Sequence, residues 1–286
     1  MTAHEERLLV IENIKKALDS GDSFKKVELF DPVITDEDIK RVIEPFDTER
    51  RKLKSKVLAY FARKIAEKET KKRNLLTEVR GIENALSVNG GAIITQNHFN
   101  IMDNTVARIL ALECEKAKDF HIVIQETNAF MTGYFGFLMR NCNTLPVSRS
   151  ASYMAKNLKP TIKKILDSEG FILIYPEQEM WFNYKKPRNV REGAYHYAAE
   201  FNVPIIPTFV TMENTDEIGE DGFYKQKHIL HVMHPIYPDP TLSVRENRER
   251  MKDADIEAKR NCYESFYKIK LDENFIPERD IAGYKL

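Results

Sequence analysis

Long apolar runs are missing from this chain, and none approaches the ~20 residues that would cross a bilayer as a helix. The first 18 residues, MTAHEERLLVIENIKKAL, scatter charges through any would-be apolar stretch, which argues against a secretory signal. Cysteine is scarce: Cys114, Cys142 and Cys262 are odd in number and far apart. They supply neither a disulfide framework nor a metal-ligand cluster, and they suit a reducing compartment. Net charge is also lacking, because 44 basic residues cancel 44 acidic ones, so overall charge selects no partner and gives no reason to expect nucleic acid. There is no internal repeat and no low-complexity tract. No G-x-S-x-G elbow occurs, so no protein serine nucleophile suggests itself.

What is present divides by texture. A chain of 286 residues with 31% charged side chains suits one large soluble domain, or a domain with an extension carrying long solvated helices. Residues 1–86 read as a helical extension without strand signals. Leu8, Leu9, Ile11, Ile14 and Leu18 mark a first amphipathic helix, closed by Ser20-Gly21-Asp22. Thr35-Asp36-Glu37-Asp38 reads as an N-terminal cap for a second. From Glu49 to Arg73, eleven Lys or Arg face three Glu, and Leu53, Val57, Phe61 and Ile65 recur every four residues, joined by Leu58. Such a helix either lies on an anionic membrane surface or packs its stripe on the next domain.

From residue 87 the chain alternates. Ala92–Thr95, His121–Gln125, Thr144–Val147, Phe171–Tyr175, Val203–Val210 and His228–Met233 read as strands. Thr105–Lys118, Ala151–Ser168, Val190–Phe201 and about Ser243–Lys270 read as helices, and residues 213–227 as an acidic loop. The expectation is an α/β domain over 87–286, with a mostly parallel central sheet flanked by helices.

The stretch Asn97–Lys118 stands out as strand, turn and helix, with His98 in the turn. Ligands gather at the carboxyl ends of such strands. Residues five apart on a regular helix are rotated by about 140°. His98 and Asp103 can therefore cooperate only if His98 lies in the turn and Asp103 near the first helical turn. One reading makes Asp103 a helix cap and His98 a surface residue. The other makes them a general base and its orienter, acting on a substrate's hydroxyl because the chain offers no nucleophile of its own. Arg149, just past a short strand, is either a surface arginine or a phosphate clamp. His228, His231 and His234 invite a metal reading, but a strand there would turn His231 away from the other two, and no metal is expected.

Taken together, four ordered blocks resemble the glycerolipid acyltransferase family, which includes 1-acylglycerol-3-phosphate and glycerol-3-phosphate acyltransferases. They are Asn97-His98 through Asp103; Phe135-Gly136-Phe137 with Pro146-Val147-Ser148-Arg149; Tyr175-Pro176-Glu177; and Val203-Pro204-Ile205-Ile206-Pro207. Arg191-Glu192-Gly193-Ala194 resembles the stretch before the fourth block. The resemblance implies that His98 takes the proton of an acceptor hydroxyl, which then attacks an acyl-CoA or acyl carrier protein thioester. It implies that Asp103 orients His98, that Arg149 binds the acceptor phosphate, and that Glu177 shapes the acceptor site. Asn97, Gly136, Pro176, Gln178 and Arg191 are implied as further substrate-binding positions. No cofactor beyond the acyl donor is implied. The acceptor would be a lysophospholipid or glycerol phosphate, with 1-acylglycerol-3-phosphate foremost. The place of work would be cytoplasmic, peripherally on the inner face of an anionic membrane.

The chain departs from the family at Gln178-Glu179-Met180, where Gly-Thr-Arg is expected. A second carboxylate appears where an arginine should be, and Lys185, Lys186, Arg188 and Arg191 are candidates to compensate. The departure leaves two other readings open: a lipid- or phosphate-binding module that lost catalysis, and a thioester hydrolase in which His98 activates water.

Overall fold

The computed structural model describes residues 1–29 and 32–285. Seven strands form one sheet: β1 (Glu78–Arg80), β2 (Ala92–Thr95), β3 (Phe120–Gln125), β4 (Thr144–Val147), β5 (Phe171–Ile174), β6 (Ile205–Ile218) and β7 (Tyr224–Val232). Their spatial order is β1-β7-β6-β2-β5-β3-β4. Each neighbouring pair is parallel except β6–β7. The expected α/β architecture is therefore the one observed.

β2 lies near the centre, and all four of its residues are buried. Being covered on both faces, it needs apolar residues in succession and not in alternation. Ala92 and Ile94 pack with Val106, Ala107, Leu110 and Ala111 of the helix Asn104–Glu113. Ile93 points the other way, toward Ile162 and Leu166 of the helix Lys159–Asp167 and Ala194 and Ala198 of the helix Gly193–Glu200. Burial of Val106 and Leu110 contributes about 1.5–3 kcal/mol each. That fixes the helix whose first turn carries the candidate dyad.

Three stretches differ from the sequence reading. Val79 sits within β1, a three-residue edge strand too short to leave a periodic signal in a segment read as helical. Residues 213–227 form most of a β6–β7 hairpin instead of a loop. Its outer part is exposed and charged, held by pairs such as Lys225–Glu217 at 2.8 Å, so it carries no apolar alternation. Gly133–Asn141, unassigned from sequence, is a helix. The expected helix Ala151–Ser168 is present, with a π-helical turn at Met154–Leu158 directly before Pro160. A proline lacks the N–H and crowds the preceding turn, and a widened turn accommodates it.

The N-terminal helix Ala3–Asp19 is capped by Thr2 and Glu5. It buries Val10, Ile11, Ile14 and Ala17 against Trp181, Phe182 and Phe223. The helical extension thus packs directly on the loop that follows β5.

The basic helix, Leu53–Arg73, buries Ala62, Ala66 and Thr70 instead of the expected stripe. Small side chains let it approach Leu138 and Cys142 closely. Leu53, Val57 and Phe61 remain 78%, 48% and 55% exposed, so packing on the domain does not account for them. No helix among the described residues is long and apolar enough to cross a membrane.

Candidate active site

β2 ends at Thr95, and the chain turns through 96–103 before the helix Asn104–Glu113 begins. The turn is tied on both sides. Asn97 is buried, and its side-chain amide donates to the Val210 carbonyl at 3.1 Å and accepts from the Val210 N–H at 2.8 Å. The amide extends the β2–β6 pairing past its last ladder position, Thr95 opposite Pro207. The His98 and Phe99 carbonyls accept from Trp181 and Asn183 at 3.0 and 2.9 Å. Glu177 accepts the His98 N–H at 3.2 Å.

His98 Nδ1 lies 2.8 Å from Asp103 Oδ2. Asp103 stands at the helix N-cap, yet its carboxylate turns back into the turn and makes no capping bond ahead. Oδ2 also accepts the N–H groups of Phe99 and Asn100, at 2.8 and 3.2 Å. Oδ1 accepts the Tyr175 hydroxyl at 2.6 Å. Four donors converge on one buried carboxylate, which accepts from all of them. A proton on Nδ1 is then donated to Asp103, and Nε2 is left as the basic ring nitrogen. The imidazole stacks on the Tyr175 ring, with centroids 4.0 Å apart and planes 18° apart. Burial and the adjacent Asp103 push the Tyr175 hydroxyl well above the usual phenol range, so it stays a hydrogen-bond donor. His228 meets Phe99 edge-on at 5.2 Å, and burial lowers its pKa, so it adds no cation beside the dyad.

His98 and Asp103 border a cavity of about 760 Å³. β5 pairs with β3 only up to Leu173 opposite Ile122, while β3 continues with β4 to Gln125 and β5 with β2 to Ile174. Beyond Ile122 the two strands part. Ile122, Val123 and Ile124 point alternately to opposite faces of the sheet, and all three line the cavity. The cavity therefore enters the sheet at this seam. Phe130, Met131, Phe135, Met139 and Ile162 add to its apolar wall. Gln125 Nε2 donates to Glu179 Oε1 at 2.6 Å, joining the end of β3 to the loop after β5 across the top of the seam.

The other positions named from sequence are divided. Pro176, Gln178 and Arg191 line the cavity with His98 and Asp103. Gln178 has φ +63°, a left-handed conformation in which glycine is unstrained. Arg191 donates to Gln178 Oε1 at 3.2 Å, and its guanidinium stacks 3.8 Å from the Phe24 ring centroid. Glu177, Asn97, Gly136 and Arg149 do not line it. A Cβ on Gly136 would collide with the Met131 carbonyl, so the glycine allows a close backbone approach. Arg149 lies 3.4 Å from Asp36 and 3.5 Å from Glu126 and donates to the Ile34 carbonyl. Glu177 is buried against Arg188, with Nη2 to Oε2 at 3.0 Å, and also accepts the Arg188 N–H at 3.1 Å. Lys186 is buried against Asp272 and Asp280, at 2.9 and 3.1 Å. His228 and His231 are separated as strand alternation requires: His231 bonds Thr211 Oγ1 at 2.8 Å, and burial lowers its pKa to about 4.

Sequence reading assigned no role to Tyr175, Gln125 or the Glu177–Arg188 pair. Tyr175 had a usable signal: an aromatic hydroxyl at the end of a buried strand, two positions from Leu173 and on the same face. Nothing local marks residue 188 as the partner of residue 177.

Residues 76–211 match the family model described as Acyltransferase. Over those residues the chain is similar to acyltransferase domains. The matched stretch runs from just before β1 into β6 and includes the dyad turn, the seam and the loop after β5. No curated protein sequence matches the chain. A similar solved structure is that of PlsC, the 1-acyl-sn-glycerophosphate (LPA) acyltransferase from Thermotoga maritima. It is 15% identical with a TM-score of 0.49, and the match covers 94% of this chain and 99% of that one.

Proposed function

We propose that the protein moves a fatty acyl group from an acyl thioester, on coenzyme A or a carrier protein, to the hydroxyl of a glycerolipid-type acceptor. The observation that carries this is the His98–Asp103 pair, 2.8 Å apart, on the edge of an apolar-walled cavity of about 760 Å³. Nε2 of His98 takes the hydroxyl proton as the oxygen attacks the thioester carbonyl carbon. The carbon–sulfur bond breaks, and the proton leaves with the thiolate. Asp103 holds the tautomer and offsets the charge of the imidazolium. The seam beyond Ile122 and Leu173 offers the acyl chain an apolar path out of water.

The deciding experiment measures thiol release from an acyl donor with and without an acceptor. Acceptor-dependent release and an esterified product are expected. Release without any acceptor would move the reading to a thioester hydrolase, and no release from either donor would leave a binding module.

A glycerolipid-type acceptor and its acylated product partition into a lipid phase, so the protein works at a membrane surface. Leu75 and Leu76, directly after the basic helix, are 81% and 73% exposed, and Lys71, Lys72 and Arg73 precede them. Asn74 Nδ2 donates to Thr105 Oγ1 at 3.0 Å, which sets this apolar tip beside the start of the dyad helix. Ile101, on the cavity edge, is 42% exposed. Liposome binding is expected to need anionic lipid, to weaken with salt, and to fall by about tenfold or more in Leu75→Ser/Leu76→Ser. Binding to neutral vesicles with equal strength would remove the electrostatic part of this reading.

A further inference from the structure

Resting on the acyl-transfer reading, the cavity also describes its acceptor. Among the described lining residues the single guanidinium is that of Arg191, and the carboxylates are Glu28, Asp103 and Glu179. Arg191 is already engaged, stacked on Phe24 and donating to Gln178. The cations that could have gathered phosphate oxygens are committed elsewhere. Arg188 is paired with Glu177, Lys186 with Asp272 and Asp280, and Arg149 with Asp36 and Glu126 outside the cavity, while Lys185 lies 5.4 Å over the Tyr267 ring and does not line it. Glu28 is itself paired with Arg7 at 3.5 Å and Asp103 with His98, so Glu179, held by the neutral Gln125 amide, is the carboxylate that a phosphomonoester would meet here, in surroundings that screen poorly.

The polar groups that do face the cavity suit a different ligand. Gln125, Asn128, Thr132 and Gln178 offer amides and a hydroxyl, each able both to donate and to accept. Glu179 adds a carboxylate, held through Oε1 by Gln125. Amides beside a carboxylate match neutral vicinal hydroxyls, which donate to the one and exchange hydrogen bonds with the others. We infer that the acceptor presents uncharged hydroxyls, as a sugar or a plain glycerol headgroup does, and not a phosphomonoester. Glu179 and Met180, on the cavity wall, are the specificity-determining positions. This departs from the lysophosphatidate acceptor that family resemblance alone implies.

The test measures thiol release by the full chain from palmitoyl-coenzyme A and from palmitoyl-acyl carrier protein. Four acceptors are compared: a monoacylglycerol, a monoglycosyl lipid with free hydroxyls, lysophosphatidate, and glycerol 3-phosphate. The expected result is a kcat/KM for one of the first two at least about tenfold above both phosphates. The two neutral arms separate a plain glycerol headgroup from a sugar. Equal or higher kcat/KM for a phosphate overturns the inference and leaves acyl transfer standing. Absence of acceptor-dependent release with all four overturns the acyl-transfer reading and the inference with it. Met180→Arg, which adds a guanidinium to the wall, is expected to shift the phosphate-to-neutral ratio upward by about tenfold. Glu179→Gln keeps the Gln125 partner and is expected to shift the ratio the same way, which covers a misfolded arginine variant. A folded variant of each with an unchanged ratio shows that this wall does not read the headgroup and overturns the assignment.

Discussion

Replacing His98 with alanine is expected to lower kcat for acyl transfer by at least about 10³-fold while the chain stays folded, since general-base assistance is worth roughly 10²–10⁴ and no other imidazole among the described residues borders the cavity. Asp103→Asn is expected to cost up to about 10⁴-fold, the scale seen when the carboxylate behind a catalytic histidine is neutralised. The reasons are specific to this site. Asp103 receives four donors: His98 Nδ1, two turn N–H groups and the Tyr175 hydroxyl. An asparagine would place an NH₂ among them, either facing the imidazole and reversing its tautomer or facing donors that need an acceptor. Tyr175→Phe removes one donor and keeps the stacked ring, so a loss of about tenfold is expected. A circular-dichroism melt separates these effects from unfolding. Near-full activity of His98→Ala would end the base assignment, whatever the other variants do.

The difference between what the sequence told and what it withheld is physical. β2 and β5 were legible because a strand buried on both faces must be almost continuously apolar, as Ala92–Ile94 and Phe171–Ile174 are. The α/β order followed from their alternation with periodic helices. The edge strand Glu78–Arg80 and the hairpin tip were not legible, because exposed strands pair through backbone groups that leave no compositional trace. At the site, spacing allowed His98 and Asp103 to be proposed as partners, and their contact follows from the turn before the helix. Orientation was not legible. Arg149 and Arg188 are identical in chemistry and both lie near conspicuous motifs. One is held just past the end of β4 by Asp36 and Glu126, and the other is buried within the loop after β5 against Glu177. Only the acidic partner that each meets in the folded chain decides where its guanidinium points.

That loop links the site to the stability of the chain. It runs from Tyr175, the first residue after β5, through Glu177, which accepts the His98 N–H, to Trp181 and Asn183, which donate to the dyad turn. The N-terminal helix covers Trp181 and Phe182, and Arg188 donates to the Ser23 carbonyl at 3.0 Å. Arg188→Met is therefore expected to destabilise the fold by about 3–5 kcal/mol, because it leaves the Glu177 carboxylate buried without its cation. The measurement is the urea midpoint at unchanged m value. A double variant, Glu177→Met/Arg188→Met, removes both charges and is expected to recover most of that loss, as apolar replacements of buried pairs do. It also removes the acceptor of the His98 N–H, so its kcat is expected to stay low after stability returns. Recovery of both together would mean that Glu177 serves only to balance Arg188. Recovery of stability alone makes Glu177 a positioning residue, holding the dyad turn from beneath while lying outside the cavity.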